Sequence, residues 1–273
     1  TTFSRGKLAD FLDCQRRYQL RYERRLAWPV GPLETRTAGA LERGRRFHQI
    51  LQRHLLGLLP AEALDDEPEL AHWWRLFQSQ GPRLPPGRRL PEFNLTVPIG
   101  RHFLTGRYDL LIVSEDGLHI YDWKTGVRPP ATDVLHDDLQ TRVYLALAAE
   151  GAPALWRDVR PDEIRLTYWY ASDPPVTRSL VYDAAWHQEN WAGLVALVGQ
   201  IQRRLDAGSE LPLTDDLVQC RRCAYQVYCG RQAGGMELAE WYADETSVAD
   251  ATPVTDEPLA GDTTSLRLEP DRL

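Results

Sequence analysis

The chain has 273 residues, 43% hydrophobic and 26% charged, a composition that suits a globular protein able to bury a full core as one large domain or two small ones. No run of eighteen apolar residues occurs, which excludes a helical membrane span, and the N-terminal stretch lacks the apolar core of a secretory signal, so a cytoplasmic protein is expected. The net charge of −7 is uneven: from Tyr242 onward eight acids face two arginines, which leaves residues 1–241 nearly neutral and 4–46 rich in arginine.

In chain order, Ser4 is placed to cap a helix over about 4–26, with Phe3, Leu8, Phe11, Leu12, Tyr18 and Tyr22 as its apolar surface. A second helix is predicted over about 38–58, where Leu41, His48, Leu51 and Leu55 share a face. The stretch 67–90 is mixed, with a short helix around Trp73 and Trp74 and a loop at Pro82, Pro85 and Pro86. Strands follow at 92–99, 105–113 and 118–123, the last two joined by the turn Ser114-Glu115-Asp116-Gly117. A helix over 137–150, strands at 163–170 and 177–182, and a long helix over 185–207 complete an α/β pattern of a central sheet flanked by helices. Residues 242–273, rich in Thr, Asp, Ala and Pro, read as an acidic disordered tail after a domain covering 1–241.

Asp109 in GRYDLLIV and Asp122 in IYDWKTG lie on adjacent predicted strands, and a short hairpin can bring both strand ends to one edge of the sheet. Asp122 and Lys124 are two apart, so their side chains share a face. Two carboxylates can hold a hard cation such as Mg2+ or Mn2+, which lowers the pKa of a bound water, while an ammonium orients that water or screens developing charge. Of 32 basic residues only Lys7 and Lys124 are lysine, so a compact ammonium is kept at Lys124 in a chain that otherwise uses arginine. Glu92, at the start of the first of these strands, is a further candidate acid.

The four cysteines form one pattern, Cys14 and then Cys220-x2-Cys223-x5-Cys229. In a cytoplasmic protein such clustering points to metal binding rather than disulfides, and four thiolates suit tetrahedral zinc or an iron–sulfur cluster.

The series Gly44-x3-His48, Gly106-Arg107-Tyr108-Asp109, Asp122-Trp123-Lys124-Thr125-Gly126 and Gln140-x3-Tyr144 resembles RecB-type nucleases of the PD-(D/E)xK class. The resemblance covers about residues 4–231 and implies a restriction-endonuclease-like mixed sheet. It implies His48, Asp109, Asp122 and the main-chain carbonyl of Trp123 as ligands for Mg2+ or Mn2+. Lys124 becomes the catalytic base or water-positioning group, and Gln140 and Tyr144, one turn apart, contact DNA or brace the lysine. The cysteine spacing is similar to that of AddB-type nucleases and CRISPR-associated RecB-like exonucleases, which implies a [4Fe–4S] cluster on Cys14, Cys220, Cys223 and Cys229. That cluster would tie the first helix to the segment after the last long helix, and the basic surface beside it, Arg16, Arg17, Arg221 and Arg222 with Tyr225 as a stacking ring, would guide single-stranded DNA.

The expected activity is a metal-dependent deoxyribonuclease, an exonuclease on single-stranded DNA ends in repair or recombination. No Walker A pattern is present, so these residues hold no helicase motor of their own; the chain is expected to act alone, or to be the nuclease part cut from, or partnered with, a helicase. The alternatives are a CRISPR-adaptation nuclease trimming spacer precursors, or a catalytically silent iron–sulfur DNA-binding module. Against the silent module stands the joint presence of His48, Asp109, Asp122, Lys124 and Gln140.

Overall fold

The computed structural model describes residues 1–26, 35–58, 67–126, 128–221 and 223–231. Its elements in chain order are β1 (Thr2–Phe3), α1 (Arg5–Asp13), α2 (Gln15–Tyr18) running into a π-helical turn, α3 (Thr35–Leu55), α4 (Pro68–Gln80), β2 (Arg88–Ile99), β3 (His102–Ser114) and β4 (Gly117–Lys124), followed by α5 (Thr132–Asp137), α6 (Leu139–Leu155), β5 (Ile164–Tyr170), β6 (Val176–Val181), α7 (Ala184–Asp206) and α8 (Leu217–Arg221). The six strands form one mixed sheet in the order β1-β3-β4-β5-β6, with β2 on β3. β4 and β5 are parallel, as expected where a helix crosses back between strands, and β4 is buried at every position but Lys124. β2 pairs only with β3, and this edge position accommodates Pro91 and Pro98, which cannot donate to a ladder.

Helices cover both faces. On one side α6 carries Val143, Tyr144, Leu147 and Ala148 against Leu95, Val97, Leu104, Leu111 and Ile120, with α1 and α7 behind it. On the other, Phe47 and Leu51 of α3 and Trp73, Leu76 and Phe77 of α4 close over Leu110, Ile112, Tyr121, Trp123 and Trp169. Among the described residues no helix is long and apolar enough to cross a membrane.

The predicted strands and helices are present, with β2 starting earlier than expected, at Arg88, and β1, α5 and α8 added. The helix expected over 4–26 is interrupted. Cys14 leaves the helical region (φ −160°, ψ 109°), ending α1 and starting α2, and this break turns its thiol toward the C-terminal segment. The expected tail, 242–273, lies outside the described residues.

The sheet splits where the predicted acids lie. β2 runs along one edge of β3 throughout, but the other edge is paired by β1 only at Phe103 and Leu104 and by β4 only from Leu110 onward. Beyond Leu110↔Tyr121, β4 continues on β5 and β3 continues on β2, so the hairpin opens as a fork at Asp109 and Asp122. The side-chain alternation also reverses there. Gly106 and Tyr108 face α6, yet so do Leu111 and Val113, and on β2 the reversal falls between Leu90 and Phe93. The residue between, Glu92, has φ +50°, a backbone conformation costly for anything but glycine.

Candidate active site

The fork leaves a backbone donor on β4 without a strand partner, and a side chain fills the role. Along β4 successive residues turn their N–H and C=O to opposite neighbours. Lys124 faces β5, since its carbonyl accepts from the N–H of Ala171 at 2.8 Å. Trp123 therefore faces the fork, where its N–H donates to Asp109 Oδ2 at 2.7 Å. Its carbonyl is turned to the same side, the position expected for a main-chain ligand. The second oxygen of Asp109 meets His48 Nδ1 at 3.2 Å, delivered by the face of α3 that seats Phe47 and Leu51 in the core. The left-handed step at Glu92 brings its carboxylate in as well. Ligand atoms of His48, Glu92 and Asp109 all lie within 4.8 Å of one another.

Asp122 and Lys124 approach from the α6 side. Asp138 caps α6, accepting from the N–H groups of Gln140 and Thr141, and so sets Gln140 at the mouth of the fork. One amide then ties the DxK pair together. Gln140 Nε2 donates to Asp122 Oδ1 at 2.7 Å, Lys124 Nζ donates to Gln140 Oε1 at 2.9 Å, and Nζ also pairs with Asp122 Oδ2 at 2.9 Å. Tyr144 lies one turn on. Its hydroxyl donates to the Arg107 carbonyl at 2.6 Å, while Tyr108 donates back to the Tyr144 carbonyl at 2.9 Å. Two glycines permit the approach: a Cβ at Gly106 would meet Leu147 at 2.7 Å, and one at Gly44 would stand 3.0 Å from the Thr125 hydroxyl.

Three carboxylates, Glu92, Asp109 and Asp122, thus share a partly buried space with one imidazole, one ammonium and one guanidinium. Burial pushes Asp122 up to about 6, with Lys124 opposing the rise and Asp109 adding to it. Burial and the Asp109 charge likewise raise Glu92 against the pull of Arg107. At Asp109 burial is overcome by the His48 contact and the Trp123 N–H, and the group stays below the usual carboxylate range. For His48 burial is outweighed by Asp109, and its pKa is raised. Mutual repulsion of this kind is what a divalent cation relieves, and oxygen donors with one imidazole are a fitting set for Mg2+ or Mn2+.

The family model of the PD-(D/E)XK nuclease superfamily matches residues 2–230. The chain belongs to this superfamily, whose members are metal-dependent phosphodiester hydrolases. No curated protein matches the sequence. Among solved structures, SSO0001 is similar at 15% identity and a TM-score of 0.40, over 85% of this chain and 87% of that one. A protein of Eubacterium rectale, described provisionally as an exonuclease, is similar at 11% identity and a TM-score of 0.47, over 86% and 89%.

Cys14, remote in sequence from Cys220, Cys223 and Cys229, lines a single cavity with them, walled also by Arg17, Tyr225 and Arg231. All four cysteines are free thiols. Burial raises Cys220, Cys223 and Cys229, each is raised further by neighbouring cysteines, and Arg17 or Arg231 partly offsets this. The two halves of the cavity are also clasped by protein contacts alone: Gln19 donates to the Ser209 carbonyl and accepts from the Leu211 N–H, and Arg16 donates to the Leu211 carbonyl at 2.6 Å.

Three of the residues expected at a DNA surface have partners within the fold. Arg16 is engaged by Glu210 at 2.6 Å, Arg17 by Asp10 and Asp13, and the buried Tyr225 donates its hydroxyl to the Leu26 carbonyl. These contacts help to hold the cavity wall. Arg221 is exposed, and Arg222 lies outside the described residues. Sequence reading left Glu92 outside its ligand set and gave Arg107 no role. The available signal was an acid directly after Pro91 inside a strand pattern, where ordinary alternation has no use for it.

Proposed function

We propose that the chain is a Mg2+- or Mn2+-dependent deoxyribonuclease of RecB/AddB-like type, acting as an exonuclease on single-stranded DNA ends in repair or recombination. The observation that carries this reading is the fork, which gathers His48, Glu92, Asp109, Asp122 and Lys124 from four elements around one space. His48, Asp109, Asp122 and the Trp123 carbonyl would hold the cation, with Glu92 as an additional donor. When bound, that cation supplies Lewis acidity toward the scissile phosphate and the attacking water. Lys124 has three donor hydrogens, of which Asp122 and Gln140 take two. The third is free to orient the water or to meet a phosphate oxygen as charge develops on it. Gln140 fixes the ammonium, and Tyr144 fixes the strand that carries Asp109.

The four cysteines are read as the ligands of a [4Fe–4S] cluster, supported by their shared cavity and by the resemblance in spacing. The nuclease unit is assigned to residues 1–241, with 242–273 an acidic appendage.

The test is cleavage of end-labelled single-stranded DNA by anaerobically purified protein with Mn2+ or Mg2+, wild type beside Lys124→Ala. The variant is expected to lose roughly a hundredfold or more in rate while keeping its circular dichroism spectrum. Equal rates in the two proteins would remove Lys124 from the chemistry. Iron and acid-labile sulfide analysis of the same preparation tests the cluster, and stoichiometric zinc without sulfide would replace it.

A further inference from the structure

The metal donors of the fork are not equally well secured. Asp109 is held from two sides, by His48 and by the Trp123 N–H, and Asp122 is held by Gln140 and Lys124. Glu92 sits on a backbone step with φ +50°, at a point where the β2–β3 register passes from Pro91↔Leu110 to Phe93↔Tyr108 without a pair between. A side chain on so irregular a step needs an outside partner to keep one orientation. Arg107 supplies it, with Nε 3.1 Å from Glu92 Oε2.

We propose that Arg107 is a positioning residue of the metal centre, holding the Glu92 carboxylate toward His48 and Asp109. The proposal rests on the metal-centre reading above. Its geometry is specific to position 107. Arg107 pairs with Asn94, so it lies diagonally across the ladder from Glu92, within reach of a long side chain on the same face. Its own backbone is clamped, because the Tyr144 hydroxyl grips its carbonyl at 2.6 Å and the Tyr108–Tyr144 ring contact, 5.0 Å between centroids, anchors that tyrosine. Arg107 Nε meets Oε2, one of the two oxygens of the Glu92 carboxylate. The chain of support therefore runs from α6 through Tyr144 and Arg107 to Glu92.

Electrostatics makes the test sharp, because a simple charge effect has the opposite sign. A guanidinium beside a cation site repels the cation, so its removal should tighten metal binding if charge were all that mattered. A positioning role predicts weaker binding instead. The experiment is Mn2+ binding to the full chain without DNA, by calorimetry, for wild type, Arg107→Gln, Arg107→Lys, Glu92→Gln and the double variant Arg107→Gln/Glu92→Gln. Thermal unfolding serves as a check on folding. Arg107→Gln is expected to weaken Mn2+ by roughly tenfold or more, and Arg107→Lys by less. In the Glu92→Gln background the same change should have little further effect, since the interaction runs through that carboxylate. DNA affinity in EDTA should be unchanged in Arg107→Gln.

Unchanged or tighter Mn2+ binding in Arg107→Gln would overturn the proposal, as would an equal loss in the two backgrounds. If DNA affinity alone falls, Arg107 is a phosphate contact and not a positioning residue. Should wild type bind no Mn2+, the metal-centre reading itself fails, an outcome visible before any variant is compared.

Discussion

At Asp122 burial and chemistry pull in opposite directions, and the conflict predicts a pH dependence. Its carboxyl is pushed up to about 6 by burial, so the ionised donor is present only above that pH. Mn2+ affinity is therefore expected to fall as pH drops through about 6, measured by titrating metal at a series of pH values; a flat profile would remove Asp122 from the ligand set. The sign for the metal-free protein is reversed. Because the folded pKa lies above the unfolded one, the folded state holds an extra proton between about 4 and 6. The stability this group contributes is greatest at low pH and is lost as pH rises through about 6. Residue types and spacings made Asp109, Asp122 and Lys124 readable as candidates, since a D-x-K on a strand shares a face whatever the fold, whereas Gln140 entered only through the resemblance. Glu92 was legible only as a further candidate acid and not as a member of the ligand set, because its direction depends on a φ of +50° that no residue pattern announces.

Among the elements, α6 does the most to organise the site. It carries Gln140 and Tyr144 one turn apart, and the Asp138 cap sets where the helix starts. Asp138→Ala is expected to lower stability by about 1 kcal/mol, seen in urea unfolding, and to reduce turnover beyond that loss of folded protein because Gln140 shifts. Turnover falling only in proportion to the folded fraction would show that the cap does not position the amide. The strand pair behaves differently from its sequence pattern. Continuous apolar runs in β3 and β4 foretold buried strands correctly, but not that they part company after Leu110↔Tyr121. Pairing partners are chosen by the whole sheet: on its other edge β4 keeps a parallel ladder with β5 that reaches Lys124, beyond the point where β3 parts from it. The first helix shows the same limit: apolar spacing runs on through Cys14, whereas the backbone breaks there to aim the thiol at the distant cysteines.

Across the whole molecule the N-terminal helices and the segment 209–231 form one clasp around the cysteine cavity. A cluster there would close a loop of about 200 residues, stabilising the fold by about 5 kcal/mol at most in the chain-entropy picture. Cys220→Ser, which would remove one ligand of such a cluster, is expected to lower the thermal midpoint. The Mn2+ affinity of the fork should stay within about twofold, because the Arg16 and Gln19 contacts keep the clasp joined. Loss of Mn2+ binding in that variant would make the two centres interdependent. By itself the sequence determined the α/β class, the order of the motif residues and the grouping of cysteines, because these depend on residue chemistry and short spacing. Only the tertiary structure decided that Glu92 and Arg107 join the site and that Arg16, Arg17 and Tyr225 turn inward. Each of those outcomes depends on a partner from another element, Arg16 and Tyr225 on contacts 195 and 199 residues away, and local pattern carries no record of what the chain will later fold against it.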